Sequence, residues 1–93
     1  MPGLTIVNGD PYLFAVPTLH RERGFRFAFF AGDGDEPAHV HVSGNSGRAK
    51  VWLVPAVRLD DARGYSKKQL GTILDITATH QEEWLRAWRG FFG

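Results

Sequence analysis

Two histidines one residue apart are the side chains of this sequence that could do chemistry, in the run Pro37-Ala38-His39-Val40-His41-Val42. Residues i and i+2 of a β-strand point to the same face, so a strand here would place both imidazoles on one face and both valines on the other. Imidazole has an unperturbed pKa of about 6.5, which suits it to moving a proton or binding a metal near neutral pH. The pair therefore predicts either a chemical site or a polar sheet face backed by core.

The residues after the histidines predict a β-hairpin that gives the pair specific neighbours. Gly44-Asn45-Ser46-Gly47 separates two strand-like runs, and loops of two or four residues give the same register. The predicted polar face consists of His39, His41, Arg48, Lys50 and Trp52, with Lys50 opposite His41 and Trp52 opposite His39. The predicted apolar face consists of Val40, Val42, Ala49, Val51 and Leu53. Such sidedness is typical of a sheet that a helix covers on one side.

A first hairpin is predicted from Thr18 to Phe30. A three-residue loop ending in a left-handed Gly24 pairs Arg21 with Phe25, His20 with Arg26 and Leu19 with Phe27. In that register His20 and Arg26 share a face, and the phenylalanines at alternate positions lie on the other. We therefore expect His20 and Arg26 to adjoin the histidine pair.

The remaining elements complete the predicted fold. Ala56-Val57-Arg58-Leu59 predicts a fourth strand, and residues 60–64 predict a loop. Ser66-Lys67-Lys68-Gln69 fits a capping box, after which apolar residues recur at helical spacing to the C-terminus, over about six to seven turns. The fold class is thus α+β: a three- or four-stranded antiparallel sheet of two hairpins with one long C-terminal helix on its apolar face. Residues 17–93 form a single domain, and residues 1–16 form an extension that adds an arm or an extra strand.

Composition excludes several classes of protein. A chain of 93 residues suffices for one core, and the absence of cysteine excludes disulfides, thiolate metal ligands and a cysteine nucleophile. No secretory leader or run of about 20 apolar residues is present, so we expect a cytoplasmic protein without a membrane partner. The net charge of +1 does not by itself indicate nucleic-acid binding. The acidic run Gly32-Asp33-Gly34-Asp35-Glu36 lacks the later ligands of a calcium loop and is predicted to be a solvated turn.

These motifs resemble the small prokaryotic family called domain of unknown function 4160. The resemblance runs from Val16-Pro17-Thr18 through the histidine motif, Ala49-Lys50-Val51-Trp52-Leu53 and Gly64-Tyr65-Ser66 to Trp88. Members of that family share a Pro-Pro-His-Val-His-Val core, in which Ala38 here replaces the second proline. The resemblance implies one component of a toxin–antitoxin pair whose protein partner is encoded by a neighbouring gene. It also implies that residues 1–15 are an extension or an alternative start.

Three hypotheses for the histidine face stay open. The favoured one is a binding module without cofactor or metal, whose sheet face docks a protein or an RNA partner, because aromatic and arginine side chains are typical interface anchors. Homo-oligomerisation stays open as well. The expected binding residues are Arg26, Trp52, His20 and Arg48.

The second hypothesis is a metal-independent ribonuclease. His39 and His41 would act as general acid and base, while Lys50 and Arg26 would hold the phosphate during attack of the 2′-hydroxyl. Trp52 and Phe30 could stack on bases. The face therefore contains the residue types that this reaction needs.

The third hypothesis is a divalent metal site. His39 and His41 on one strand could be neighbouring ligands, completed by one of His20, Asp33, Asp35 and Glu36. Against this hypothesis, Lys50 is predicted directly opposite His41, and a cation beside a cation site is unfavourable.

Overall fold

Alternation of apolar and polar residues builds a five-stranded antiparallel sheet, in a computed structural model that describes residues 18–93. The strands lie in chain order and are β1 (Thr18–Glu22), β2 (Phe25–Ala28), β3 (His39–Gly44), β4 (Gly47–Trp52) and β5 (Arg58–Arg63). A 3-10 helix, Ala31–Asp35, lies between β2 and β3, and the helices α1 (Lys67–Thr79) and α2 (Gln81–Phe92) follow β5. The predicted extension, residues 1–16, lies outside the described residues.

The predicted register of the second hairpin is confirmed. His41 pairs with Lys50 and His39 with Trp52. Asn45 and Ser46 form a two-residue loop with φ of 49° and 67°, as a type I′ turn requires. The polar and apolar faces of β3 and β4 therefore follow the prediction.

The predicted register of the first hairpin is wrong by one residue. The loop has two residues, Arg23 and Gly24, both with positive φ, so His20 pairs with Phe27 and Arg21 pairs with Arg26. Because directly opposite residues share a face, His20 lies on the core face and Arg21 on the polar face. A one-residue slip exchanges every side chain between faces, which is why this error matters for the site.

The last strand is longer than predicted, because β5 includes residues that the sequence assigns to a loop. Asp61, Ala62 and Arg63 pair with β4, with a register irregularity at Lys50 and Val51. Aspartate is unfavourable in strands, yet here the backbone bonds to β4 decide the conformation. The fold is α+β as predicted, but it has five strands rather than three or four.

The predicted single long helix is instead two helices that meet at His80, whose φ of −103° and ψ of 7° are not helical. The capping box between Ser66 and Gln69 at the start of α1 is confirmed. A straight helix over residues 67–92 would be about 39 Å long, about twice the length of a six-residue strand. The break brings Ile73 of α1 and Trp84 of α2 into one core, where they are 0% and 1% exposed.

The core lies between the helices and the apolar face of the sheet. Trp84 packs on Phe27 with ring centroids 5.1 Å apart. The other buried apolar side chains include Phe25, Phe29, Val40, Val42, Val51, Leu53 and Ile76. Among the described residues no helix is long and apolar enough to cross a membrane.

Candidate functional site: the polar face of the sheet

One row of side chains crosses all five strands on the face opposite the core. Arg21 pairs with Arg26, Arg26 with Ser43, Ser43 with Arg48, and Arg48 with Arg63. These five residues are called the arginine row below. Neighbouring strands lie about 4.8 Å apart, so the row is about 19 Å long.

The charges of the arginine row are not neutralised within residues 18–93. None of its four arginines forms an ion pair with a carboxylate of that part of the chain. Arg26 donates from Nε to Thr18 Oγ1 at 2.8 Å, a neutral acceptor, and the other three arginines are exposed. Like charges directly opposite in a sheet are destabilising, so the row is an unfavourable arrangement that a bound anion would relieve.

Clefts border the arginine row on the polar face. One of about 490 Å³ is lined by Ser43, Arg48, Arg63 and the glycines of the adjoining turns. A smaller one of about 110 Å³ lies between Arg26, Arg48, Phe30 and His41. The second cleft connects the row to the histidine pair.

His39 is fully buried at one end of the polar face, with 0% of its side chain exposed. Its Nδ1 lies 2.9 Å from the carbonyl oxygen of Pro37, which can only accept, so Nδ1 carries the proton and donates it. In the neutral imidazole the lone pair is then on Nε2, and this nitrogen has no hydrogen-bond partner in residues 18–93. The nearest carboxylate oxygens are Asp33 Oδ1 at 3.4 Å and Glu36 Oε1 at 3.7 Å.

Asp33 connects the two histidines. The 3-10 helix carries its carboxylate to His41, whose Nε2 lies 3.0 Å from Oδ2 and 3.1 Å from Oδ1. Phe30 N donates to Asp33 Oδ2 at 2.7 Å, which fixes the carboxylate. The prediction of a solvated turn is therefore wrong for Asp33, whose side chain is 11% exposed.

His41 is half-buried beneath Phe30, whose ring stacks on the imidazole at a centroid distance of 3.8 Å and an interplanar angle of 8°. Burial lowers the pKa of His41 below its ordinary value, and this effect outweighs the opposite effect of Asp33. His41 is thus favoured in its neutral form, which is the form that can accept a proton or bind a metal.

Lys50 is neutralised by two carboxylates. Its Nζ donates to Glu36 Oε1 at 2.7 Å and lies 3.9 Å from Asp60 Oδ2. The hydrogen bond to Glu36 is the main reason that the pKa of Lys50 is raised. The ammonium also lies 4.5 Å from the ring centroid of Trp52, whose Nε1 donates to Asp60 at 3.1 Å. Lys50 is therefore engaged within the protein, in contrast to the arginine row.

The structure brings together most of the residues expected to form the site. His39, His41, Lys50 and Trp52 adjoin one another, and Arg26 and Arg48 lie on the same face. His20 does not belong to this face, and its predicted place there is wrong. The His20 ring packs on the core side of the sheet, with its centroid 4.3 Å from that of the His80 ring and 6.1 Å from that of the Trp84 ring.

Sequence reasoning missed Arg21 and Arg63 as members of the site. Arg21 was assigned to the apolar face by the incorrect register, and Arg63 was assigned to a loop. A two-residue Arg23-Gly24 turn, if considered, would have indicated Arg21. No local signal distinguished the strand character of Arg63, because it depends on pairing with β4.

The arrangement limits what the histidines can do chemically. An acid–base pair acting on a bound phosphate needs both imidazoles to reach the substrate. His41 is partly exposed, but His39 is enclosed by Trp52, Trp88 and the 3-10 helix, with its Nε2 directed at carboxylates. The geometry therefore favours a ligand or structural role for His39.

The fold and site define a small α+β protein whose five-stranded antiparallel sheet is covered on one face by two helices and carries an arginine row on the other. The chain belongs to the family described as Domain of unknown function (DUF4160), whose model matches residues 24–89. This match confirms the family resemblance over that range. No curated protein and no solved structure matches this chain.

Proposed function

We propose that this chain is an RNA-binding protein that holds a single strand along the arginine row. The observation that carries the proposal is the row itself: two pairs of arginines, on β1 and β2 and on β4 and β5, with Ser43 of β3 between them and no ion-pair partner for any of the four within residues 18–93. Guanidinium groups bind phosphate in a fork geometry, and a polyanion would engage several of them at once. A single surface arginine would not indicate a site for a polyanion.

An exposed aromatic ring beside the row favours a single strand over a duplex. Among residues 18–93, Phe30 is the exposed large apolar side chain, with 50% of its surface exposed, and it borders the same cleft as Arg26 and Arg48. Single-stranded nucleic acid is held by cationic grooves together with aromatic rings on which bases stack. RNA is preferred to an acidic protein segment because stacking on Phe30 adds to the phosphate contacts.

The cellular role extends this proposal and is supported by the family resemblance and the sequence. We infer that the chain is one component of a cytoplasmic toxin–antitoxin pair and binds a protein encoded by a neighbouring gene. Co-purification of the neighbouring gene product with this chain tests that role. Recovery of this chain alone after co-expression would contradict the pairing, with no consequence for RNA binding.

RNA binding is tested by fluorescence anisotropy with a labelled oligouridine of about 10 nucleotides, a typical length for a single-strand site. If four phosphates are neutralised, the plot of log K against log salt has a slope of about −3. Arg48→Gln and Arg63→Gln should each weaken binding and make that slope shallower by about 0.7.

Two matched controls remove a positive charge elsewhere. Lys50→Gln removes a cation on the same face that is already paired with Glu36, and Arg86→Gln removes an exposed cation on α2. Both should leave the salt slope unchanged. Absence of binding to oligouridine, or equal losses in the controls and the row variants, would refute the proposal.

The same oligonucleotide distinguishes binding from cleavage. Electrophoresis after prolonged incubation should recover it intact, because His39 is not accessible to substrate. Cleavage that is lost in His41→Gln but kept in Arg86→Gln would instead support the ribonuclease hypothesis.

A further inference from the structure

We propose that Asp33, His39 and His41 form a binding site for a divalent transition-metal ion. This site goes beyond the proposed RNA binding and does not depend on it. One ligand atom from each residue lies within 4.8 Å of the others. The donors are two imidazole nitrogens and a carboxylate oxygen, the set that zinc, manganese and iron accept in proteins.

The distances suit a common metal ion. Metal–ligand bonds of about 2.1 Å in tetrahedral geometry place neighbouring ligand atoms about 3.4 Å apart. His39 Nε2 lies 3.4 Å from Asp33 Oδ1, and His41 Nε2 lies 3.0 Å from Asp33 Oδ2. Both histidine–aspartate separations are therefore close to the required value, and all three ligand atoms lie within 4.8 Å of one another. Binding of the ion at His41 Nε2 would release the proton that this nitrogen shares with Asp33.

His39 supplies an independent indication of a ligand. Its Nε2 is fully buried and has no hydrogen-bond partner among the described residues, and with the proton on Nδ1 the neutral ring offers its lone pair at this atom. Buried polar atoms are almost always satisfied, so this nitrogen requires an explanation. Metal-binding histidines characteristically donate their second ring N–H to a backbone carbonyl or carboxylate, as His39 does to Pro37.

Asp33 is similarly held in place for binding. The N–H of Phe30 donates to Asp33 Oδ2 at 2.7 Å, so the carboxylate is oriented by the backbone and not by the histidines alone. Outer hydrogen bonds of this kind fix ligand orientation. Glu36 Oε1, 3.7 Å from His39 Nε2, is a further ligand within reach if it exchanges its bond to Lys50.

The sequence suggested that the positive charge of Lys50, opposite His41, would disfavour a metal ion here, but the structure removes that objection. The Lys50 ammonium is paired with Glu36 and lies near Asp60, so the nearest cation is compensated by carboxylates. The cluster with its surroundings contains three carboxylates and one ammonium. A divalent ion would therefore enter a locally negative environment, which is favourable.

A second histidine cluster provides the comparison. His20, Glu22 and His80 also lie within 4.8 Å of one another, on the core side of the sheet. There, His20 Nε2 lies 2.8 Å from Glu22, and His80 Nδ1 lies 3.2 Å from Glu83. Neither histidine is fully buried with an unpartnered nitrogen, so we do not assign a metal to this cluster.

The proposal is tested on the full chain, purified without an affinity tag and treated with a chelator. Zn²⁺ titrated calorimetrically should bind with one ion per chain, and the melting temperature should rise because the ion binds the folded state. Co²⁺ alone should develop the visible absorption of a low-symmetry nitrogen and oxygen site. Absence of Zn²⁺ and Co²⁺ binding would overturn the proposal.

Variants locate the site. His41→Gln and Asp33→Asn each remove a ligand and should weaken Zn²⁺ binding by more than about 10–100-fold, the loss typical when only a hydrogen-bond partner of a ligand is removed. The amide that replaces the carboxylate in Asp33→Asn retains an oxygen that accepts from Phe30 N, so this variant should keep the fold, as circular dichroism can verify. His80→Gln, the matched control, should bind Zn²⁺ like the unchanged protein.

Two results would contradict this assignment: unchanged affinity in both site variants, or loss of affinity in His80→Gln. Oligouridine binding measured on Asp33→Asn separates the two proposals. Retained RNA binding with lost Zn²⁺ binding is expected, because Asp33 lies outside the arginine row.

Discussion

Replacing Arg48 by glutamine is expected to stabilise the folded protein while weakening its binding to RNA. Arg48 lies directly opposite Arg63 in the β4–β5 pair, and no carboxylate of residues 18–93 pairs with either guanidinium. Like charges placed opposite one another in a sheet cost about 0.2–1 kcal/mol. Glutamine keeps most of the stem of arginine and removes the charge.

The expected gain in stability comes from removing the repulsion between Arg48 and Arg63. A gain of about 0.5 kcal/mol in the free energy of unfolding raises the melting temperature by about 2–4 °C for a domain of this size. The screening length falls from about 10 Å at 0.1 M salt to about 3 Å at 1 M. Repulsion between exposed arginines should therefore be measurable in low salt and nearly absent in high salt.

The assay is thermal unfolding followed by circular dichroism at both salt concentrations. The double variant Arg48→Gln, Arg63→Gln completes a mutant cycle, and its gain should be smaller than the sum of the two single gains. Arg86→Gln on α2 serves as the control for loss of a charge elsewhere. A gain that persists at 1 M salt would indicate strand propensity instead of charge, and a loss at low salt would refute the reasoning.

Three further predictions concern the fold. Gly47→Ala should lower the free energy of unfolding by about 1–3 kcal/mol, because the added Cβ would lie 2.5 Å from Tyr65 Cε1. Gly71→Ala in α1 should raise it by about 0.5–1 kcal/mol, because the added Cβ meets nothing within 4 Å and alanine favours a helix. Urea denaturation measures both changes. Ser66→Ala should cost about 1 kcal/mol in the same assay, because Gln69 N loses its acceptor, and a change near zero would show that the cap is unimportant. Burial raises the pKa of Tyr65, so the neutral phenol is favoured in the folded state, and stability should fall as pH rises through about 10. Tyr65→Phe should lose that alkaline decline, and an identical decline in both proteins would contradict it.

Local patterns in the sequence were sufficient for the central hairpin and the helix start. The turn Gly44 to Gly47 admits one register, so the neighbours of His39 and His41 in β4 were predicted correctly. The capping box at Ser66 was also correct, because its hydrogen bonds join residues only three apart. Such features depend on short stretches of chain and on strict periodicity.

Features that depend on distant pairing were not predictable in the same way. The first hairpin has two turn lengths compatible with Gly24, and only pairing of β2 with β3 and packing on the helices select the shorter one. The choice moves His20 to the core and Arg21 to the polar face. Likewise, Arg63 joins the row only because β4 offers its edge to an otherwise weak strand.

The sequence by itself determined that His39 and His41 share a sheet face and that Trp52 and Lys50 lie opposite them. The two-residue period of a strand leaves no alternative once the turn is known. Only the tertiary structure decided that Asp33 closes over the pair, that His39 is buried with an unpartnered Nε2, and that four arginines align across five strands. Each of these depends on how separate segments pack together, and the free energy of that packing is not encoded in any one stretch of residues.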